Sequence, residues 1–291
     1  MSATYREERT NVGGQPVRYL TSGEGPPLVL LHALGDNALD WSWVLPALSR
    51  GHRVYAPDLP GIGGDGRILE DPSPEFFVSF VVAFLDTLGV ERTAIVGNWY
   101  GGLVALRLAL SDPARVNALG LVGSAGLGRT INPALSVPTI PGYGEATIAW
   151  SKTFLGAKQR AWGRAALLFV RPRLAPPEWL AEQRWLARAP GFLEATLSAL
   201  RAQVSPGGQR EVSLEDLHIL TTPTLVVWGA HDRVFPRHQA KEATKSLENG
   251  SLVVIPECGH LPQIERPDRF ADALDRFLGE VEHLYGRRRE T

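Results

Sequence analysis

Residues 94–110, AIVGNWYGGLVALRLAL, decide how this chain reads. The apolar run at its start suits a strand buried on both faces, and residues 100–110 carry apolar side chains at helical spacing. Between them there is room for one sharp turn, with glycine on either side of its apex, at Gly97 and Gly101. Glycines so placed imply backbone segments too close for side chains and an apex residue held in a sparsely populated conformation. The apex is Trp99, whose indole has no nucleophilic atom.

Working outward, residues 4–12 and 17–22 alternate around the turn Gly13-Gly14-Gln15-Pro16 and predict a hairpin. Further apolar runs at 27–31, 52–56, 93–96, 116–122, 224–228 and 251–255 predict buried strands, interleaved with helical patterns at 74–88, 100–110, 237–247 and 261–284. This is an α/β fold: a mostly parallel eight-stranded sheet flanked by helices with right-handed crossovers. The alternation stops after Gly126. From 132 to 211 no strand is predicted, only helical stretches separated by Pro and Gly. We therefore divide the chain into a core, 1–130 and 212–291, and an inserted helical cap, 131–211, lying over the carboxyl ends of the strands where such sheets bind ligands.

Composition narrows the function. Of 291 residues 44% are hydrophobic and 21% charged, as in a soluble globular chain. The formal charge of -1 gives no field favouring nucleic acid or an anionic membrane, so neither is expected as a partner; a small, weakly charged ligand is. The single cysteine, Cys258, excludes an internal disulfide and any CxxC metal or redox site. The N-terminal residues show no signal peptide and no run is long enough to span a bilayer, which points to the cytoplasm. Arg287-Arg288-Arg289 reads as a solvated tail.

Four motifs at strand ends make the chain resemble the α/β-hydrolase fold family over nearly its whole length. Gly97-Asn98-Trp99-Tyr100-Gly101 is similar to the family's Gly-x-Ser-x-Gly nucleophile elbow, with Trp99 at the nucleophile position. His32-Ala33-Leu34-Gly35 resembles the His-Gly-x-Gly oxyanion loop, with Ala33 for the usual glycine. Asp58-Leu59-Pro60-Gly61-Ile62-Gly63 resembles a structural loop of the family. Gly229-Ala230-His231-Asp232 and Gly259-His260 resemble the segments carrying the triad acid and histidine.

The resemblance implies Asp232 and His260 as the catalytic acid and base, the backbone N–H groups of Leu34 and Tyr100 as the oxyanion hole, and no metal or organic cofactor. His32, Trp41, Asn98 and Ser124 are the candidate substrate-binding residues around them. Ser124 and Cys258 are weak substitutes for the missing nucleophile. Asn98, Trp41 and Trp43 are reminiscent of carboxylesterases and of carbon–carbon bond hydrolases acting on ring-cleavage products; in the latter tryptophan often follows the histidine, where this chain has Leu261.

Three readings stay open. The chain derives from a serine hydrolase of esters or similar acyl compounds, impaired because Trp99 replaces the nucleophile. Or it performs non-hydrolytic lyase, cyclase or isomerase chemistry with His260 as acid or base and Trp99 as a stacking wall. Or it binds a small apolar or aromatic ligand without turning it over. Oligomeric state and substrate identity are not legible.

Overall fold

A computed structural model describes the backbone of residues 5–67 and 70–289, and the side chains up to residue 283. The start of the first predicted strand at Thr4 and the side chains of Arg287, Arg288 and Arg289 lie outside what is described. Eight strands form one sheet: β1 (Arg6–Val12), β2 (Gln15–Ser22), β3 (Pro27–Leu31), β4 (Arg53–Pro57), β5 (Thr93–Asn98), β6 (Val116–Val122), β9 (Thr224–Gly229) and β10 (Gly250–Ile255); β7 (Val204–Ser205) and β8 (Gly208–Gln209) pair separately. The order across the sheet is β1-β2-β4-β3-β5-β6-β9-β10, with β2 antiparallel to both its neighbours and every other pairing parallel. The site strands β3, β5, β6 and β9 are therefore adjacent, and their carboxyl ends share one edge.

Strand periodicity sorts the core into two layers. Val29, Leu31, Ile95, Leu119, Leu121 and Val226 pack on one face with the helices Pro74–Thr87 and Tyr100–Ser111. Leu28, Leu30, Ala94, Val96, Val122, Leu225 and Val227 pack on the other, against the last helix, Pro267–Arg289. Both faces of the central strands are buried, so they read as unbroken apolar runs.

Three local expectations are corrected. Gly13 and Gly14 (φ 57° and 83°) close the hairpin alone, so β2 begins at Gln15 rather than Val17. The predicted helix over 261–284 is two, Pro262–Glu265 and Pro267–Arg289, parted where Pro267 lacks a donor. The region 132–211 is not strand-free: β7 and β8 form a small hairpin after the helix Phe192–Gln203. Before it come the helices Tyr143–Ser151, Phe154–Leu168 and Pro177–Leu186.

The inserted helices are tied to the loop after β3 by a buried ion pair. Asp36 is fully buried; one carboxylate oxygen accepts from Arg164 Nη2 at 2.6 Å and the other from Gln183 Nε2 at 2.7 Å. Gly35, at φ 85°, makes the turn that brings Asp36 to the guanidinium.

Candidate active site

β5 ends at Asn98 and the next helix begins at Tyr100, so residue 99 alone makes the turn. Trp99 has φ 47° and ψ -108°, a left-handed backbone that costs an L-residue on the order of 1–3 kcal/mol. Its neighbours hold it there. Its N–H donates to Val122 O (3.1 Å), and its carbonyl accepts from Leu103 N–H (3.2 Å) and Ala125 N–H (3.0 Å). The flanking glycines follow from close approach: a Cβ on Gly97 would lie 2.1 Å from Gly101 O, and one on Gly101 would lie 2.4 Å from Leu31 O.

Asp232 sits in the loop after β9 and His260 in the loop after β10, both side chains fully buried. One oxygen of Asp232 accepts from the N–H groups of Val234 (2.7 Å) and Phe235 (3.1 Å), an Asx turn; the other lies 2.8 Å from His260 Nδ1. With its proton on Nδ1 the imidazole donates to the carboxylate and leaves Nε2 as the free basic nitrogen. The imidazole backbone is anchored from the inserted helices, His260 N–H donating to Leu168 O at 2.8 Å.

Three rings meet around the imidazole. Trp99 stands edge-to-face with His260 (centroids 5.6 Å apart, 81°), and Phe235 is edge-to-face with both, at 6.1 Å from Trp99 and 5.7 Å from His260. Trp99 is 2% exposed and His260 not at all. His260 Nε2 and Trp99 Nε1 are both buried without a hydrogen-bond partner. An unmade buried bond costs about 1–3 kcal/mol, so the indole occupies the space beside the imidazole without satisfying it.

The remaining predicted residues divide. The Leu34 N–H has no acceptor among the described residues, and Leu34 shares the apolar cluster of Trp99 and Phe235. The Tyr100 N–H is in the first turn of its helix, where no intrahelical carbonyl is available. The Tyr100 side chain leaves the site, its hydroxyl donating to Pro72 O at 2.9 Å. Of the candidate substrate contacts Trp41 is corrected, because it lies in the other layer of the core, while His32, Asn98 and Ser124 direct hydrogen bonds to the protein itself. His32 Nδ1 donates to Ala33 O and Nε2 accepts from Leu59 N–H, both at 2.9 Å, so neither nitrogen is spare, and burial lowers its pKa to about 4.

Trp41 packs against Phe270 on the opposite sheet face from Trp99. Asn98 donates to Val122 O (2.8 Å) and His260 O (3.4 Å) and accepts from Gln263 (3.2 Å), bracing the imidazole loop. Ser124 donates to Ala125 O at 2.8 Å. Cys258 lies in the core on the far face and burial pushes its thiol pKa up, which removes it as a nucleophile. Phe235, Leu168 and Gln263 escaped sequence reading, since nothing in their local pattern marks a contact made across the fold.

The constellation can take up a proton at Nε2 and hold the resulting imidazolium against Asp232. It offers no attacking oxygen or sulfur. No group of three or more His, Cys, Asp or Glu side chains able to hold a metal occurs among the described residues, and no helix among them is long and apolar enough to cross a membrane.

Residues 26–267 match the family model for the alpha/beta hydrolase fold. The chain belongs to the α/β-hydrolase fold family. Within that family it is 33% identical to 2-hydroxymuconate semialdehyde hydrolase of Pseudomonas putida over 95% of this chain and 93% of that one. It is 30% identical to the dihydrolipoyllysine-residue acetyltransferase component of an acetoin cleaving system, also of Pseudomonas putida, over 93% and 69%. Among solved α/β-hydrolase structures it resembles the meta-cleavage product hydrolase of Pseudomonas fluorescens IP01, in a form with one serine changed to alanine and acetates bound: TM-score 0.79, 26% identity, 94% and 98% covered.

Proposed function

We propose that this chain carries the scaffold of a serine hydrolase for small apolar or aromatic acyl substrates, with Trp99 at the nucleophile position, and is hydrolytically impaired as its sequence stands. The observation that carries the reading is the geometry of residue 99. It is the strained apex between Gly97 and Gly101, and its ring is 5.6 Å from an imidazole whose Nε2 lacks a partner. On this reading a serine at 99 would present its hydroxyl to Nε2, Asp232 would hold the imidazole tautomer, and the Leu34 and Tyr100 N–H groups would receive the oxyanion. On the same reading the helices of 131–211 would act as a cap over the bound acyl group. No cofactor is required.

The test is hydrolysis of short p-nitrophenyl esters by the protein and by Trp99→Ser, with 2-hydroxymuconate semialdehyde, named for a relative, as a second substrate. Activity gained only by the variant supports the proposal; no hydrolysis by a folded variant on either substrate overturns it. The free, buried Nε2 also favours a second reading, acid–base chemistry without an acyl intermediate. In that case His260→Ala abolishes a reaction that the chain performs with Trp99 in place.

A further inference from the structure

The helix Phe154–Leu168 distributes its side chains against the usual rule for a surface helix. Its buried positions are mostly small, Ala157, Ala161 and Ala165 with Leu168, while Phe154, Leu155 and Trp162 are 75%, 64% and 40% exposed. Trp150 extends the exposed face by donating to Gln159 at 2.9 Å. Across a groove of about 450 Å³ lies the half-exposed Trp185; Arg184 and Arg188 line that groove with Phe154. Lys158, Arg184 and Arg188 are exposed and have no acidic partner among the described residues.

Charge is distributed with the same bias. Residues 131–211 hold ten Lys and Arg against five Asp and Glu, a formal +5, so the rest of a chain whose total is -1 carries -6. The overall charge, which argues against attraction to an anionic membrane, averages two regions of opposite sign.

We propose that this outer face is a docking surface for an anionic phospholipid bilayer. Tryptophan, phenylalanine and leucine interleaved with unpaired cations match the two layers of a bilayer surface, acyl boundary and phosphate. A two-fold contact between copies would set the same unpaired cations face to face, which disfavours a second molecule as the occupant. Each cation near an anionic leaflet contributes about fivefold in affinity. Docking here would bring to the bilayer the helix whose last residue, Leu168, holds the His260 backbone.

The experiment is flotation of the full chain with vesicles of phosphatidylcholine alone and of phosphatidylcholine with about one-third phosphatidylglycerol, at low and high salt. We expect flotation only with the mixed vesicles and release by salt. Neutralising the three cations together, Lys158→Gln with Arg184→Gln and Arg188→Gln, should weaken binding about a hundredfold. Phe154→Ala with Leu155→Ala and Trp162→Ala should also lose flotation, with an unchanged circular dichroism spectrum. Absence of flotation by the unmodified chain, or binding that neither variant weakens, overturns the proposal. So does a concentration-dependent dimer, or capture of an acidic protein, that these variants abolish in a chain that ignores vesicles.

Discussion

The two sides of the His260 imidazole are finished to different degrees. On the Nδ1 side every polar atom is used: one oxygen of Asp232 takes the ring, the other takes two backbone N–H groups, and all are buried. On the Nε2 side the backbone is equally well made, with both glycines where only glycine fits and the apex held by three hydrogen bonds. Yet the side chain there leaves two buried nitrogens unmatched. A turn this costly is retained around a residue that makes no polar use of it. On the proposed reading, the scaffold would supply orientation and proton handling independently of the group that forms a bond to substrate.

The comparison can be broken or sharpened in several ways. The largest expected effect is on the unfinished side: Trp99→Ser should raise ester hydrolysis about a thousandfold or more, measured as initial rates on p-nitrophenyl acetate. An unchanged rate in a folded variant would mean that the unfinished side lacks more than a nucleophile. Within that variant, Asp232→Asn should remove most of the gain, through loss of the correct tautomer rather than of the fold, which the pH–rate profile would register.

Third, the tie between the two regions rests on Asp36. Arg164→Ala leaves its carboxylate with Gln183 as hydrogen-bonding side chain and only the more distant Arg160 charge, and should cost about 3 kcal/mol, read from urea unfolding midpoints. Fourth, and smaller, is His32. Its folded pKa of about 4 lies below the unfolded value of 6.5, so between these values the unfolded state binds more protons and stability falls as pH falls. That contributes up to about 3 kcal/mol across the window. His32→Asn should flatten the wild-type slope between pH 6.5 and 4; an unaltered slope would place the proton uptake elsewhere. The smallest effect belongs to Cys258→Ala, which should leave the hydrolysis gained by Trp99→Ser within about twofold, since the thiol faces the other layer.

Much of the architecture was legible because it follows from local pattern. Strands buried on both faces, such as β3 and β5, must be apolar throughout, and a glycine pair around an apex must mean close backbones, so 94–110 reads correctly without any tertiary information. The substrate contacts were not legible in the same way. Trp41 and Trp99 are both large aromatic residues in segments that follow a sheet strand, and only the path of the folded chain puts them on opposite faces. His32 looks like a ligand-facing residue until the Leu59 N–H is seen to occupy its second nitrogen.

Residue order alone therefore established the α/β alternation, the strained apex at 99 and the presence of a carboxylate and an imidazole on consecutive loops, because these depend on neighbours along the chain. The pairing of Asp232 with His260, the edge-on approach of Trp99 and Phe235, and the internal hydrogen bonds of His32, Asn98 and Ser124 required the folded form. Each is a contact between segments distant in sequence, and a hydrogen bond or ring contact exists only at separations that sheet order and loop path create.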